Sequence, residues 1–167
     1  ASMAVEFVAE AYEKKHQNAV DLQHAMDEMR KQFPLAACID NIDNKESEST
    51  EINKPEQVKA VLNTGALVKT IAEARLAGAD TEKLAYFFHW ILAEEIIVAC
   101  QKARKESGRG TVALSGGVFQ NQLLLKMVDE GLQKEDFKVL RHRLVPPNDG
   151  GIALGQAVYA MNNSLSV

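Results

Sequence analysis

Along the first part of the chain Val5, Val8, Tyr12, His16, Ala19, Leu22, Met26, Met29 and Phe33 recur at three- and four-residue spacing. That period lays one largely apolar stripe on a helix and predicts a single long helix from about Met3 to Gln32, ended by Pro34. Leu35 to Ile42 predicts a short strand, and the polar run from Asp43 to Lys54 predicts a mobile surface loop. Pro55 suits the first position of a helix, and Asn63-Thr64-Gly65 divides that short helix from the next. The apolar positions Leu67, Val68, Ile71 and Leu76 of this next helix stop before Gly78. Asp80 or Thr81 then caps a longer one. Its Leu84, Phe87, Phe88, Trp90, Ile91, Leu92, Ile96, Ile97 and Val98 cover much of the circumference, so it is expected to lie buried between other elements.

Gly108 and Gly110 release the chain into TVALSGGVFQN, Thr111 to Asn121. Val112, Ala113 and Leu114 suit a strand covered on both faces, followed by a Ser-Gly-Gly turn and a helix from Phe119 to about Gln133 with Gln120 and Asn121 on its first turn. A strand from Phe137 to Arg141 completes a strand-helix-strand unit from Thr111 to Arg141, which predicts a parallel pair with a right-handed crossover, and a helix from Gly151 to Met161 closes the chain. The fold class expected is helix-rich α/β with a small, partly parallel sheet, in a single domain spanning 1–167.

The chemistry concentrates in two turns. At Gly116 and Gly117 no side chain bars a ligand from the main chain, and the N–H groups that open the next helix lie at the positive end of its dipole, so an anion such as phosphate is a natural guest. Tight packing explains a Gly-Gly turn equally well. LVPPNDGGIALGQ, Leu144 to Gln156, is the second turn: two prolines approach in extended form, Asn148 and Asp149 make the turn, and Gly150 and Gly151 free the backbone again. Asp149 can cap the closing helix or hold a metal or a phosphate-bound cation.

Together the SGGVFQNQLLL and VPPNDGGIALGQAV segments resemble the C-terminal end of the HypF carbamoyltransferases of [NiFe]-hydrogenase maturation, with TsaD-type and O-carbamoyltransferases as broader kin. The match is strong from Thr111 to Met161, and LAYFFHWILAEEIIVA, Leu84 to Ala99, resembles the family's helix with a Phe-His pair. This resemblance implies one lobe of an actin-like (ASKHA) ATPase fold. It implies that carbamoyl phosphate and ATP form a carbamoyl-adenylate whose carbamoyl group passes to a cysteine of a HypE-like acceptor. Carried over by residue, Gly116 and Gly117 approach ATP or AMP through the backbone, with Ser115 and Asn121 as polar neighbours. Asn148 holds its turn or touches the nucleotide, Gly150 and Gly151 leave room for it, and Asp149 lies at the magnesium and metal end. The family's histidine metal ligands have a His-x-x-x-His spacing that none of the four histidines here shows. A divalent iron or zinc would therefore be completed by histidines outside this chain, and the chain alone is expected to be inactive without its N-terminal lobe. His89, beside Phe88, is read as a core or interface histidine, Tyr159 and Met161 as packing residues, and His142 between Arg141 and Arg143 as a residue that could meet an anion but is more often a solvated strand end.

Composition changes this picture little. Hydrophobic residues make up 46% and charged ones 25% of the chain, and the net charge of −4 speaks against a nucleic-acid surface. The basic residues Lys102, Arg104, Lys105 and Arg109 suit a helix end. Cys38 and Cys100 fit neither a disulfide framework nor a zinc site, which favours buried thiols and a reducing, cytoplasmic location. No apolar run reads as a membrane span. Ala1-Ser2 ahead of Met3 reads as a cloning remnant. An excised lobe is expected to expose an apolar face, so a homodimer through the first helix or the Phe87 to Val98 helix is in view. The rival readings are a lobe of a small-molecule O-carbamoyltransferase and a noncatalytic interaction domain of the same fold.

Overall fold

The structure, a computed structural model, describes residues 2–16, 18–33, 39–41, 60–62 and 64–164. The expected mobile loop at 43–54, the helix start at Pro55 and Cys38 lie outside them.

The apolar stripe of the N-terminal region is divided between two helices, α1 (Ser2–Lys15) and α2 (Ala19–Gln32), where one was expected. The break has local causes. The His16 ring stacks on Tyr12 at 4.1 Å and its Nδ1 lies 2.9 Å from the Tyr12 carbonyl oxygen. Two residues on, Asn18 starts a new helix by accepting the Val20 N–H on Oδ1. Apolar periodicity passes through such a break unchanged, because each helix buries the same stripe. Lys14 and Lys15 in the last turn of α1 and Asp21 in the first turn of α2 are the signals that mark it.

Strand β1 (Ile39–Asn41) pairs antiparallel with β2 (Ala60–Leu62), Ile39 opposite Leu62. The second strand replaces the end of the helix expected after Pro55. A run as short as Ala-Val-Leu fits either state, and pairing with β1 decides it. Helix α3 (Thr64–Leu76) follows, then α4 (Thr81–Ser107). Asp80 Oδ1 accepts the Lys83 N–H at 3.0 Å to start α4, and Gly108, at φ +70°, ends it in the left-handed conformation that glycine adopts without strain.

Helix α4 is the spine of the molecule. By length and composition it could cross a membrane, contrary to the expectation from the sequence. Here it is a core helix: Leu84, Phe87, Trp90 and Ile91 join Tyr12, Met26, Met29 and Leu67 in one buried cluster. Its second half serves another cluster, in which Ala93 meets Leu114, Leu124, Val128, Leu132 and Phe137. The basic end of α4 is structural in part, since Arg104 donates to the Glu135 carbonyl at 2.7 Å and covers the Phe137 ring at 3.9 Å. Cys100 is half-buried, not buried as expected, and desolvation raises its thiol pKa.

The second cluster roofs a parallel pair, β3 (Thr111–Leu114) and β4 (Lys138–Arg141), joined by α5 (Gln122–Lys134). Helix α6 (Ile152–Ser164) closes the chain. Its Tyr159 and Met161, expected to pack, are 73% and 66% exposed, because among the described residues α6 leans chiefly on the turn that precedes it.

Candidate functional site

Side chains alternate along each strand, and aligned residues of a parallel pair share a face. Leu114, opposite Arg141, is buried beneath α5, whereas Ala113, opposite Leu140, is exposed. Among the described residues the strand is thus covered on one face, not on both. One step further along, Ser115 and His142 fall on the uncovered face, and Ser115 Oγ lies 2.9 Å from His142 Nε2. Arg141 turns the other way, its guanidinium 2.6 Å from the Asp129 carboxylate, which also accepts from Gln133 Nε2 at 2.8 Å. That carboxylate is buried and doubly bonded, so it neutralises Arg141 and fixes α5 to the end of β4.

The two predicted turns meet at this end of the strands. Gly116 donates its N–H to the Pro147 carbonyl at 2.8 Å, a bond that fastens the Ser115-Gly116-Gly117 turn to the Pro-Pro-Asn-Asp segment. Gly116 has φ +101° and ψ 161°, a region open in practice to glycine alone. A Cβ on Gly116 or Gly117 would meet nothing within 4 Å, so internal packing does not account for either glycine.

Beyond the turn the sequence expectation needs correction. Gly117–Gln120 form a 3₁₀ turn, and Asn121 is the N-cap of α5 and not part of a first helical turn. Asn121 Oδ1 accepts the Leu124 N–H at 2.8 Å, and its Nδ2 donates to His89 Nε2 at 2.8 Å. The His89 ring is 2% exposed, and its Nδ1 faces the Ala85 carbonyl at 2.8 Å. Each atom needs the role the other leaves it: the carbonyl only accepts, so Nδ1 carries the hydrogen and Nε2 is the acceptor for the amide. His89 is therefore a fully engaged core residue, and Asn121 spends its oxygen and one N–H on structure. The α5 N-terminus, expected to receive an anion from solution, holds one from the chain itself: Glu6 of α1 accepts the Gln122 N–H at 2.6 Å. A residue 116 positions away supplies it, and no local motif announces that.

In the second turn Asn148 Oδ1 accepts the Gly150 N–H and its carbonyl accepts the Gly151 N–H, both at 3.0 Å. Asn148 thus holds the turn. A Cβ on Gly150 would lie 3.1 Å from Asn148 Oδ1 and Pro146 Cγ, and one on Gly151 3.0 Å from Val145 Cγ1. These two glycines permit the loop to fold on itself, which accounts for them without a ligand; the backbone conformation of Gly116 accounts for that glycine, while neither packing among the described residues nor a positive φ accounts for Gly117. Asp149 opens a 3₁₀ turn, Asp149–Gly151, and is exposed. Among the described residues no three or more of His, Cys, Asp and Glu come together in a way that could hold a metal ion. A lone carboxylate does not fit a metal centre on its own.

A helix-rich α/β lobe with a small parallel strand pair, its two glycine turns interlocked at the carboxyl end, is the class the geometry defines. The family model of the carbamoyltransferase Kae1-like domain, second subdomain, matches residues 1–156, and the chain belongs to this family. A probable carbamoyltransferase HypF of Methanocaldococcus jannaschii is 31% identical over 115 residues, 68% of this chain and 15% of that protein. A carbamoyltransferase HypF of Rhizobium leguminosarum bv. viciae is 39% identical over 108 residues, 60% of this chain and 14% of that protein. The crystal structure of full-length HypF in the phosphate- and nucleotide-bound form superposes with a TM-score of 0.59 at 35% identity, over 71% of this chain and 15% of that one. The chain thus spans about 15% of the length of these relatives.

Proposed function

We propose that this chain forms one wall of the nucleotide site of an ATP-dependent carbamoyltransferase. The observation that carries the reading is the Gly116 to Pro147 hydrogen bond, which joins both glycine turns at the open end of the parallel pair, where a Cβ on Gly116 or Gly117 would meet nothing within 4 Å among the described residues. The family supports it, as does the nucleotide- and phosphate-bound state of the related HypF structure. On this reading Gly116 and Gly117 give the nucleotide backbone contacts, and Ser115 gives it a hydroxyl. Asn148, Gly150 and Gly151 set the loop that presents Asp149 to the magnesium that accompanies the phosphates. Asn121 contributes by fixing the start of α5.

The whole reaction then takes carbamoyl phosphate, ATP and water to carbamoyl-adenylate, phosphate and pyrophosphate, and passes the carbamoyl group to a cysteine thiol of a HypE-like protein in the cytoplasm with release of AMP. This chain's share is binding and orientation. The described residues do not fit a metal centre, and no step is assigned to iron or zinc. Titrating MgATP and MgAMP against the chain, alone and mixed with a first Kae1-like subdomain, tests the reading. Saturable binding that Asp149→Ala weakens supports it, and absence of binding in both formats overturns it.

A further inference from the structure

The contact between Ser115 and His142 is not explained by folding alone. Both side chains are exposed, both stand on the uncovered face of the parallel pair, and Ser115 Oγ and His142 Nε2 are 2.9 Å apart. A buried polar pair satisfies desolvated groups; an exposed one exchanges bonds with water at little net gain. The backbones that carry the pair are held in place independently, by the β3–β4 register on one side and the Gly116 to Pro147 bond on the other.

We infer that His142 is a positioning residue for phosphate-bearing anions, acting through the hydroxyl of Ser115. The inference rests on the nucleotide-wall reading above and adds to it the contact through Ser115, which the sequence did not show. A hydroxyl has one hydrogen and two lone pairs, and the oxygens of an ionised phosphate accept hydrogen bonds. Ser115 can serve such an anion only if its hydrogen points outward. An imidazole with its hydrogen on Nε2 makes Oγ the acceptor of that contact and leaves the hydroxyl hydrogen for the anion. The chain of donors runs from His142 Nε2–H to Ser115 Oγ–H to the phosphate oxygen. Arg143, exposed beside His142, adds positive charge, while Arg141 is turned away and neutralised by Asp129.

Amide chemical-shift titrations of the full chain with inorganic phosphate and with MgATP test the inference, comparing wild type, Ser115→Ala, His142→Ala, His142→Gln and the Ser115→Ala/His142→Ala double variant. Ser115→Ala and His142→Ala are each expected to weaken binding about five- to tenfold, the net worth of one ordinary hydrogen bond. The double variant should be no weaker than Ser115→Ala, because His142 acts through that hydroxyl, and His142→Gln should recover most of the loss through its amide donor. A loss for both probes assigns the contact to phosphate in general, and a loss for MgATP alone to the nucleotide's phosphates. Unchanged binding in His142→Ala, or additive losses without rescue by Gln, overturns the inference and leaves the nucleotide wall standing. No binding of either probe by wild type, alone or mixed with a first Kae1-like subdomain, overturns both.

Discussion

The side-chain amide of Asn121 donates to His89 Nε2 across 2.8 Å, and this bond ties the N-cap residue of α5 to the buried first half of the core helix α4. Replacing Asn121 by Ala removes the cap on Leu124 and leaves a buried imidazole nitrogen without a partner. A lost cap costs about 1 kcal/mol and an unsatisfied buried acceptor about 1–3 kcal/mol. Urea unfolding of Asn121→Ala should therefore show a loss of about 2–4 kcal/mol. A loss below about 0.5 kcal/mol would mean that the bond does not hold the helices together.

Helices α4 and α5 pack tightly at Gly131, where a Cβ would collide with Cδ1 of Ile97. Alanine is favoured over glycine inside a helix by about 1 kcal/mol, but overpacking costs about 1–3 kcal/mol. Gly131→Ala is thus expected to destabilise the wild type modestly. Ile97→Val removes the clashing methyl, and in that background the same change should stabilise by about 0.5 kcal/mol. Equal effects in both backgrounds would show that Ile97 does not set the spacing of the two helices.

Burial, with the charges of Glu13 and Glu130 and the nearby Tyr12, pushes the Tyr86 phenol from 10.0 up to about 12. Between these values the unfolded chain has released the phenolic proton while the folded chain retains it. The native state then binds more protons, so stability falls as the pH rises from 10.0 toward about 12. Tyr86→Phe deletes this contribution, and its thermal midpoint should decline less steeply across that interval. Parallel alkaline declines in the two proteins would refute the assignment.

The sequence carried more of this fold than its short strands suggest. Asp80 before an apolar run and Gly108 after it bounded α4, since capping chemistry is local. The parallel pairing of Thr111 to Leu114 with Lys138 to Arg141 followed from strand-helix-strand order. Periodicity could not locate the break at His16 to Asn18, because both helices bury one stripe. It could not place Ala60–Leu62 either, where a distant strand settles the state. In the candidate site, the glycine turns were legible from their residues, but their roles were not. Packing within the loop separates Gly150 and Gly151 from the open Gly116 and Gly117, and only three-dimensional proximity shows it. Glu6 on the α5 N-terminus and His142 on Ser115 are contacts between segments far apart in sequence, which no spacing rule reaches.

Gly116 and Gly117 separate folding from binding. Gly116→Ala forces a side chain into a glycine-only backbone region and should cost about 1–3 kcal/mol whatever the space around it. Gly117 has no such backbone demand, and a Cβ there meets nothing within 4 Å, so Gly117→Ala should fold with unchanged stability. If the bare backbone of this turn faces the nucleotide, the added methyl intrudes on the ligand alone. The most direct measurement is therefore MgATP binding by Gly117→Ala beside its thermal midpoint. The account predicts an unaltered midpoint with binding weakened about tenfold or more, the effect of displacing a ligand from close contact. Wild-type affinity in a fully folded Gly117→Ala protein would contradict the claim that this turn is the nucleotide wall.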